Sequence, residues 1–163
     1  MIKSLRVIPS SVLIATLVFG CDSSKEIELY EMKTIFRSSV ESSRLLRNKL
    51  KVEICDTIPF SWDSVIVIPA FTPSEQISKL EIINSDDLNG VLTNFLSDEG
   101  NRILAFIEDS RVIRISVIPS KFVDLNTLVK PGNYIAILPK EEFCERLYFH
   151  NVNDTTVIAS VQP

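Results

Sequence analysis

The chain is patterned as an α+β domain, with an N-terminal helix and one or two shorter helices packed on a mainly antiparallel sheet. Three observations give that class. Residues 26–50 repeat apolar side chains at steps of three and four. The block Ser64-Val-Ile-Val-Ile-Pro69 is apolar and β-branched almost throughout. After residue 100, short strand-like runs alternate with turns, the signature of hairpins rather than of parallel crossovers. The helices are then expected to cover one face of the sheet.

In the first element Leu29, Met32, Phe36, Val40, Leu46 and Leu50 form one stripe, with Ser43 filling its gap and Glu and Arg side chains on the other faces. Such a stripe packs a core. Lys51 to Cys55 alternates and predicts the beginning of a strand, which Ile58-Pro59 stops. Val65 to Ile68 predict a strand covered on both faces. Thr72-Pro73-Ser74-Glu75 predicts a helix start, with Thr72 as cap, Pro73 at the first helical position and Glu75 completing a capping box. Ile77 and Leu80 then face inward. Leu88, Val91, Leu92, Phe95 and Leu96 continue a helical face across Ser85 to Gly100, with Gly100 as its end, while Gly90 and the Asn and Asp content oppose it. Arg102–Ile107 and Val112–Ile118 predict a hairpin turning at Glu108-Asp109-Ser110-Arg111 and ended by Pro119. Strict alternation puts Ile113, Ile115 and Val117 on one face of its second strand, and Val112, Arg114 and Ser116 on the other. Lys130-Pro131-Gly132-Asn133 is a turn. Tyr134–Leu138, Arg146–Phe149 and Thr155–Val161 complete the strands, the last two joined at Asn151 to Asp154.

The first twenty residues have a different organisation. Lys3 and Arg6 precede Val7 to Gly20, an apolar run diluted only by Pro9, Ser10, Ser11 and Thr16. A basic start, a short apolar stretch and a small residue make a secretory signal. The run is 14 residues, whereas crossing a bilayer core takes about 20. Val18-Phe19-Gly20-Cys21 resembles the lipobox of bacterial lipoproteins, with Leu17 and Val18 as its aliphatic residues and Phe19 where a small residue is commoner. The resemblance implies that Cys21 receives a diacylglycerol on its sulfur, becomes the new N-terminus and tethers the protein to the bacterial cell membrane. The alternatives are a signal cut elsewhere, though no A-x-A-like site stands nearby, and an ordinary cysteine. Residues 1–20 are thus expected to be a lipoprotein signal peptide, 21–25 a polar tether, and 26–163 a single domain. Asp22 resembles the residue that retains enterobacterial lipoproteins in the inner membrane, on its periplasmic side.

Without residues 1–20, which hold Lys3 and Arg6 and no acid, the chain keeps 15 basic and 21 acidic side chains, a net charge of −6. That balance opposes nucleic-acid binding and a wide electrostatic contact with anionic lipid, so membrane attachment falls to the lipid on Cys21. Cys55 and Cys144 remain. An even pair in an oxidising compartment reads as one disulfide, and the alternative is two separate buried thiols.

Little in the chain announces chemistry. His150 is the single histidine and reads as a surface residue at a strand end. There is no H-x-x-x-H, no G-x-S-x-G, no phosphate-cradling glycine loop and no spaced cysteine quartet, so no catalytic residue, metal or cofactor is assigned. A Ser–Lys dyad or a carboxylate pair stays open, but Glu108 with Asp109 and Asp86 with Asp87 are chain neighbours, which usually point apart. Asn153-Asp154-Thr155 matches a glycosylation pattern and is most simply a turn.

The most individual stretch runs from Ile58 to Pro73 and holds Trp62-Asp63, the apolar strand, Pro69, Phe71 and Thr72. This succession, with Tyr usual in place of Phe71, resembles a pattern in small exported bacterial proteins without an assigned activity. The hairpin between Asp98 and Pro119 is similar to that group as well. The resemblance implies a shared α+β scaffold, and no activity or site. Trp62 reads as a core anchor and Asp63 as a turn cap. The functional alternative has Trp62, Asp63 and Phe71 rimming one end of the sheet as a partner surface.

The leading expectation is a lipid-anchored, non-enzymatic envelope protein that binds an unknown protein partner at the membrane surface. A sharper version is an immunity-type inhibitor of a periplasmic toxin or hydrolase. A cell-wall or lipid-acting enzyme using acids near Trp62, and a small-molecule or lipid carrier, are the other readings.

Overall fold

The computed structural model describes residues 26–46, 49–153 and 156–162. The expected signal peptide (1–20) and tether (21–25), with Cys21 and Asp22, lie outside the described residues. Among the described residues, four helices and two mostly antiparallel sheets of eight strands in all make an α+β fold. The larger sheet has five strands in the order β1-β5-β4-β3-β6. These are β1 (Glu28–Leu29), β3 (Ser64–Pro69), β4 (Asn101–Glu108), β5 (Arg111–Pro119) and β6 (Ala136–Pro139). Only β1 pairs in parallel, with β5. The smaller sheet is β2 (Leu50–Lys51), β7 (Leu147–Asn153) and β8 (Thr156–Val161), with β7 in the middle. The helices are α1 (Met32–Leu46), α2 (Ser74–Ser78), α3 (Ser85–Leu92) and α4 (Lys140–Arg146). Among the described residues no helix is long and apolar enough to cross a membrane.

The larger sheet is covered on both faces, not on the one expected. Val65, Val67, Leu104 and Phe106 point into a core with Met32, Phe36 and Val40 of α1, Phe143 of α4 and Phe149 of the smaller sheet. Ile66, Ile68, Ile103, Ala105 and Ile107 point the other way, against Ile77 of α2 and Leu88 and Leu92 of α3. Period-two alternation with both faces apolar explains the unbroken run from Val65 to Ile68, since each residue has a hydrophobic layer to enter.

Tertiary partners redraw several elements. The first helix is 15 residues long, not the 25 of residues 26–50. Leu29 belongs to β1, opposite Ile115, and is 67% exposed. The helix begins where the Met32 N–H donates to the buried Ser116 hydroxyl at 3.1 Å, so β5 supplies its cap. It ends at Leu46, and Leu50 has moved to β2. Lys51 to Cys55 is no strand beyond Lys51, and a turn of 3-10 helix follows at Cys55–Thr57. The capping box at Thr72 does not form. The Thr72 hydroxyl donates to the carbonyls of Pro69 (2.8 Å) and Tyr134 (3.3 Å), and Pro73 stands at the N-cap position of α2 without a side-chain capping bond. The third helix stops at Leu92 rather than Gly100. The Asp98 carboxylate accepts the Gly100 N–H at 2.8 Å, a side-chain turn that leads into β4.

The hairpin turns at Asp109 and Ser110, both left-handed with φ of 51° and 61°, as a two-residue connection requires. A bulge changes its faces. Phe106 opposes Arg114 and Ile107 opposes Val112, which leaves Ile113 as the extra residue. Val112 therefore joins Ile115 and Val117 on the α3 side, and Ile113 packs on the α1 side with Ile118. Gly132 has φ 87°, as the expected turn from Lys130 to Asn133 needs. Helix α4 carries no apolar periodicity in so short a span, but Glu141 and Glu142 in its first turn and Arg146 in its last complement its dipole.

Candidate functional site

Strand β3 and its flanks hold the three residues expected to form a partner surface. Trp62 is 2% exposed, and its ring stands edge-on to Phe106 (5.4 Å) and Phe143 (5.9 Å) with Lys140 Nζ 5.3 Å above it. It anchors the core and offers no face to a partner. Phe71 is 61% exposed, but it follows the far end of β3. A six-residue strand separates the two by roughly 20 Å. Trp62, Asp63 and Phe71 therefore do not rim one end of the sheet.

Asp63 is exposed and ties three elements together. Its Oδ2 accepts the Asp109 N–H at 2.9 Å at the hairpin tip. Its own N–H donates to the Ile107 carbonyl at 2.7 Å, and its carbonyl accepts the Lys140 N–H at 2.8 Å at the start of α4. We expect Asp63→Ala to cost about 1 kcal/mol and Asp63→Asn clearly less, because Asn keeps an oxygen acceptor. Urea midpoints of the two variants check this, and equal losses would show that charge, not the acceptor, matters.

Asp63 also borders a cleft of about 280 Å³, together with Leu80, Glu81, Ile82, Ile107 and Ile137. Its walls are the connector between α2 and α3 and the outer strand β6. The connector is held by the Ile83 N–H, which donates to the Ser110 carbonyl (2.9 Å), and by the buried Asn84 amide, which exchanges two hydrogen bonds with Val112 (2.8 and 2.9 Å). Ile137 pairs with Ile66 and so faces the α3 side, yet it is 53% exposed, since among the described residues β6 is the last strand of its sheet. Sequence reasoning missed this cleft. The available signal was the Ile135–Ile137 alternation on a short strand between Pro131 and Pro139, which marks a sheet edge.

A second groove, of about 930 Å³, opens at the other edge, between β1 and Phe60, Glu108, Ile113 and Arg114. The Arg114 guanidinium reaches the Glu28 carboxylate at 2.6 Å and stacks 4.3 Å over Phe60. Its charge is thereby matched, and the pair fastens β1 to β5. Tyr30 stands edge-on to Phe60 at 4.9 Å. Burial holds its hydroxyl above the ordinary 10.0, partly offset by the nearby Arg114 charge. The unfolded chain then loses this proton first as pH rises. Stability is expected to fall above pH 10.0, and Tyr30→Phe to flatten that fall in a series of alkaline melts.

Cys55 and Cys144 are joined in a disulfide with Cα atoms 5.6 Å apart, as the even pair led us to expect. His150 does not end its strand. It lies within β7 opposite Ile158, half-buried, and its Nδ1 has no hydrogen-bond partner. Among the described residues no group of three or more His, Cys, Asp or Glu side chains is placed to hold a metal ion. Comparison with family models, curated proteins and solved structures found no match to this chain.

Proposed function

We propose that this chain is a lipid-anchored protein of the bacterial cell membrane, held on the periplasmic side through Cys21, which binds another protein without catalysing a reaction. The partner lays an extended segment along the outer edge of β6 and inserts an apolar side chain between Ile137 and Ile82. The observation that carries this reading is β6 itself. It is a terminal strand with an exposed Ile137 beside an apolar cleft rimmed by Asp63 and Glu81. An edge strand presents unpaired backbone groups that a partner strand can satisfy, and pockets for alternate side chains give the selectivity. The acidic rim favours a segment with basic residues flanking its apolar anchor. Pro139, which closes the edge, and its four-residue length limit indiscriminate pairing. Membrane attachment rests on the lipobox resemblance at Val18-Phe19-Gly20-Cys21.

Two measurements test the two halves. Mass spectrometry of the mature N-terminus should find acyl chains on Cys21, and Cys21→Ser should leave an uncleaved or soluble form. An unmodified N-terminus at another residue would overturn the anchor. A photo-crosslinking side chain at position 137 should trap one envelope protein in cells, and Asp63→Lys with Glu81→Lys should abolish that adduct. Crosslinking no stronger than from exposed Glu75 would overturn the edge-binding reading.

A further inference from the structure

The outer edge of β6 has a definite hydrogen-bonding phase. The Lys140 N–H donates to the Asp63 carbonyl at 2.8 Å. These two residues continue the register that pairs Ser64 with Pro139 and Ile66 with Ile137. Bonded and non-bonded pairs alternate along an antiparallel ladder. Val65 with Leu138 and Val67 with Ala136 are therefore the bonded pairs, and Ile137 and Pro139 turn their backbone groups outward. Pro139 suits this phase, because a residue without an N–H loses no ladder bond there. The edge thus offers the Ile137 N–H and C=O and the Pro139 C=O.

The edge is apolar, and its two ends differ in charge. Ala136-Ile137-Leu138-Pro139 holds no charged side chain. Three large apolar side chains left in water stand along it: Ile137 at 53% exposure, Tyr134 at 51% and Phe71 at 61%. Phe71 belongs here because the hydroxyl of its neighbour Thr72 donates to the Tyr134 carbonyl. Before Tyr134, a turn closed by the Asn133 N–H on the Lys130 carbonyl (3.0 Å) holds exposed Lys130. Past Pro139 stand Asp63, level with Lys140, and exposed Glu141 in the first turn of α4.

We infer that a second copy of this chain fills the edge, the two β6 strands running antiparallel about a two-fold axis between their Ile137 residues. The inference rests on the reading of β6 as a binding edge and names its occupant when no other protein is bound. A two-fold there sets Ile137 against Ile137, and each donates its N–H to the other's carbonyl. Opposed residues of an antiparallel pair share a face, so the two exposed isoleucine side chains cover one another. The Lys130 end of each copy meets the Asp63 and Glu141 end of the other, and unlike charges face each other. A parallel pairing would set the acidic ends side by side. The two Asp63 carboxylates stay apart. Each is level with its own Lys140, which lies opposite Tyr134 of the second copy, six residues along the strand or about 20 Å. Salt screens charges beyond about 8 Å. The symmetric contact closes on itself and builds no fibre. A four-residue strand ending in proline buries less than the roughly 1,000 Å² of a lasting interface, so the dimer is reversible and a better-fitting partner displaces it.

The test uses the purified full chain. Sedimentation over a concentration series should show a reversible monomer–dimer equilibrium. Ile137→Pro should weaken it by roughly 10-fold or more and hold the melting temperature within about 2 °C, because the N–H it removes bonds nothing in the monomer. Leu138→Pro should lower the melting temperature clearly, because that N–H is spent on Val65. A photo-crosslinking side chain at position 137 should give an adduct of twice the chain mass, and one at Glu75 should not. A chain monomeric at every concentration, or a dimer that survives Ile137→Pro, overturns the inference. A monomeric chain whose crosslinker at position 137 still traps an envelope protein in cells removes the second copy and keeps the edge-binding reading. A dimer lost on Ile137→Pro, with no other protein trapped in cells, keeps the second copy and removes the external partner.

Discussion

Trp62→Ala is expected to lower the unfolding free energy by about 3–5 kcal/mol, because it empties a fully enclosed site. The ring fills the space between β3, β4 and α4, with Phe106 and Phe143 edge-on against it. The sheet beneath is close-packed and cannot collapse into the gap. The melting temperature should fall by roughly 10–15 °C for a domain of this size. Trp62→Phe should recover part of the loss, since a phenyl ring keeps some of the aromatic contact. A melt of Trp62→Ala within about 2 °C of the parent would contradict the buried position of the ring.

Reduction of the Cys55–Cys144 bond is the second large effect. The bond spans 89 residues of chain. Closing a loop of that length removes unfolded-state entropy worth about 4.6 kcal/mol at most in the chain-entropy account. Reductant-treated parent and the Cys55→Ser/Cys144→Ser double variant should therefore melt together, well below the oxidised protein. A reduced protein as stable as the oxidised one would show that the cross-link adds nothing the packing lacks. The two perturbations are also expected to be non-additive. Trp62 contacts Phe143, and Cys144 is the next residue of the same short helix. Removing either loosens α4, so the combined variant should lose less than the separate losses together.

These effects sit where local sequence reasoning was strongest and where it stopped. Residue patterns alone determined the α+β class, the apolar strand Val65–Ile68, the hairpin turning within Glu108-Asp109-Ser110-Arg111 and the Gly132 turn, and they favoured the cysteine pairing and the buried role of Trp62 over their alternatives. Each depends on short-range regularities: alternation, turn chemistry, an even thiol count, an aromatic entering an apolar run. Tertiary structure alone decided the rest. The start of α1 is set by the Ser116 hydroxyl, which is 84 residues away in the chain. The bulge at Ile113 reversed a face that strict alternation had assigned. Thr72 turned its hydroxyl back to the Pro69 carbonyl and, at 3.3 Å, to that of Tyr134 beside β6, instead of capping the helix it precedes. The exposure of Ile137 follows from β6 being last in a sheet order that no local pattern encodes. Local propensity acts through neighbours in the chain, whereas caps, bulges and edges are made by groups that meet only once the chain has folded.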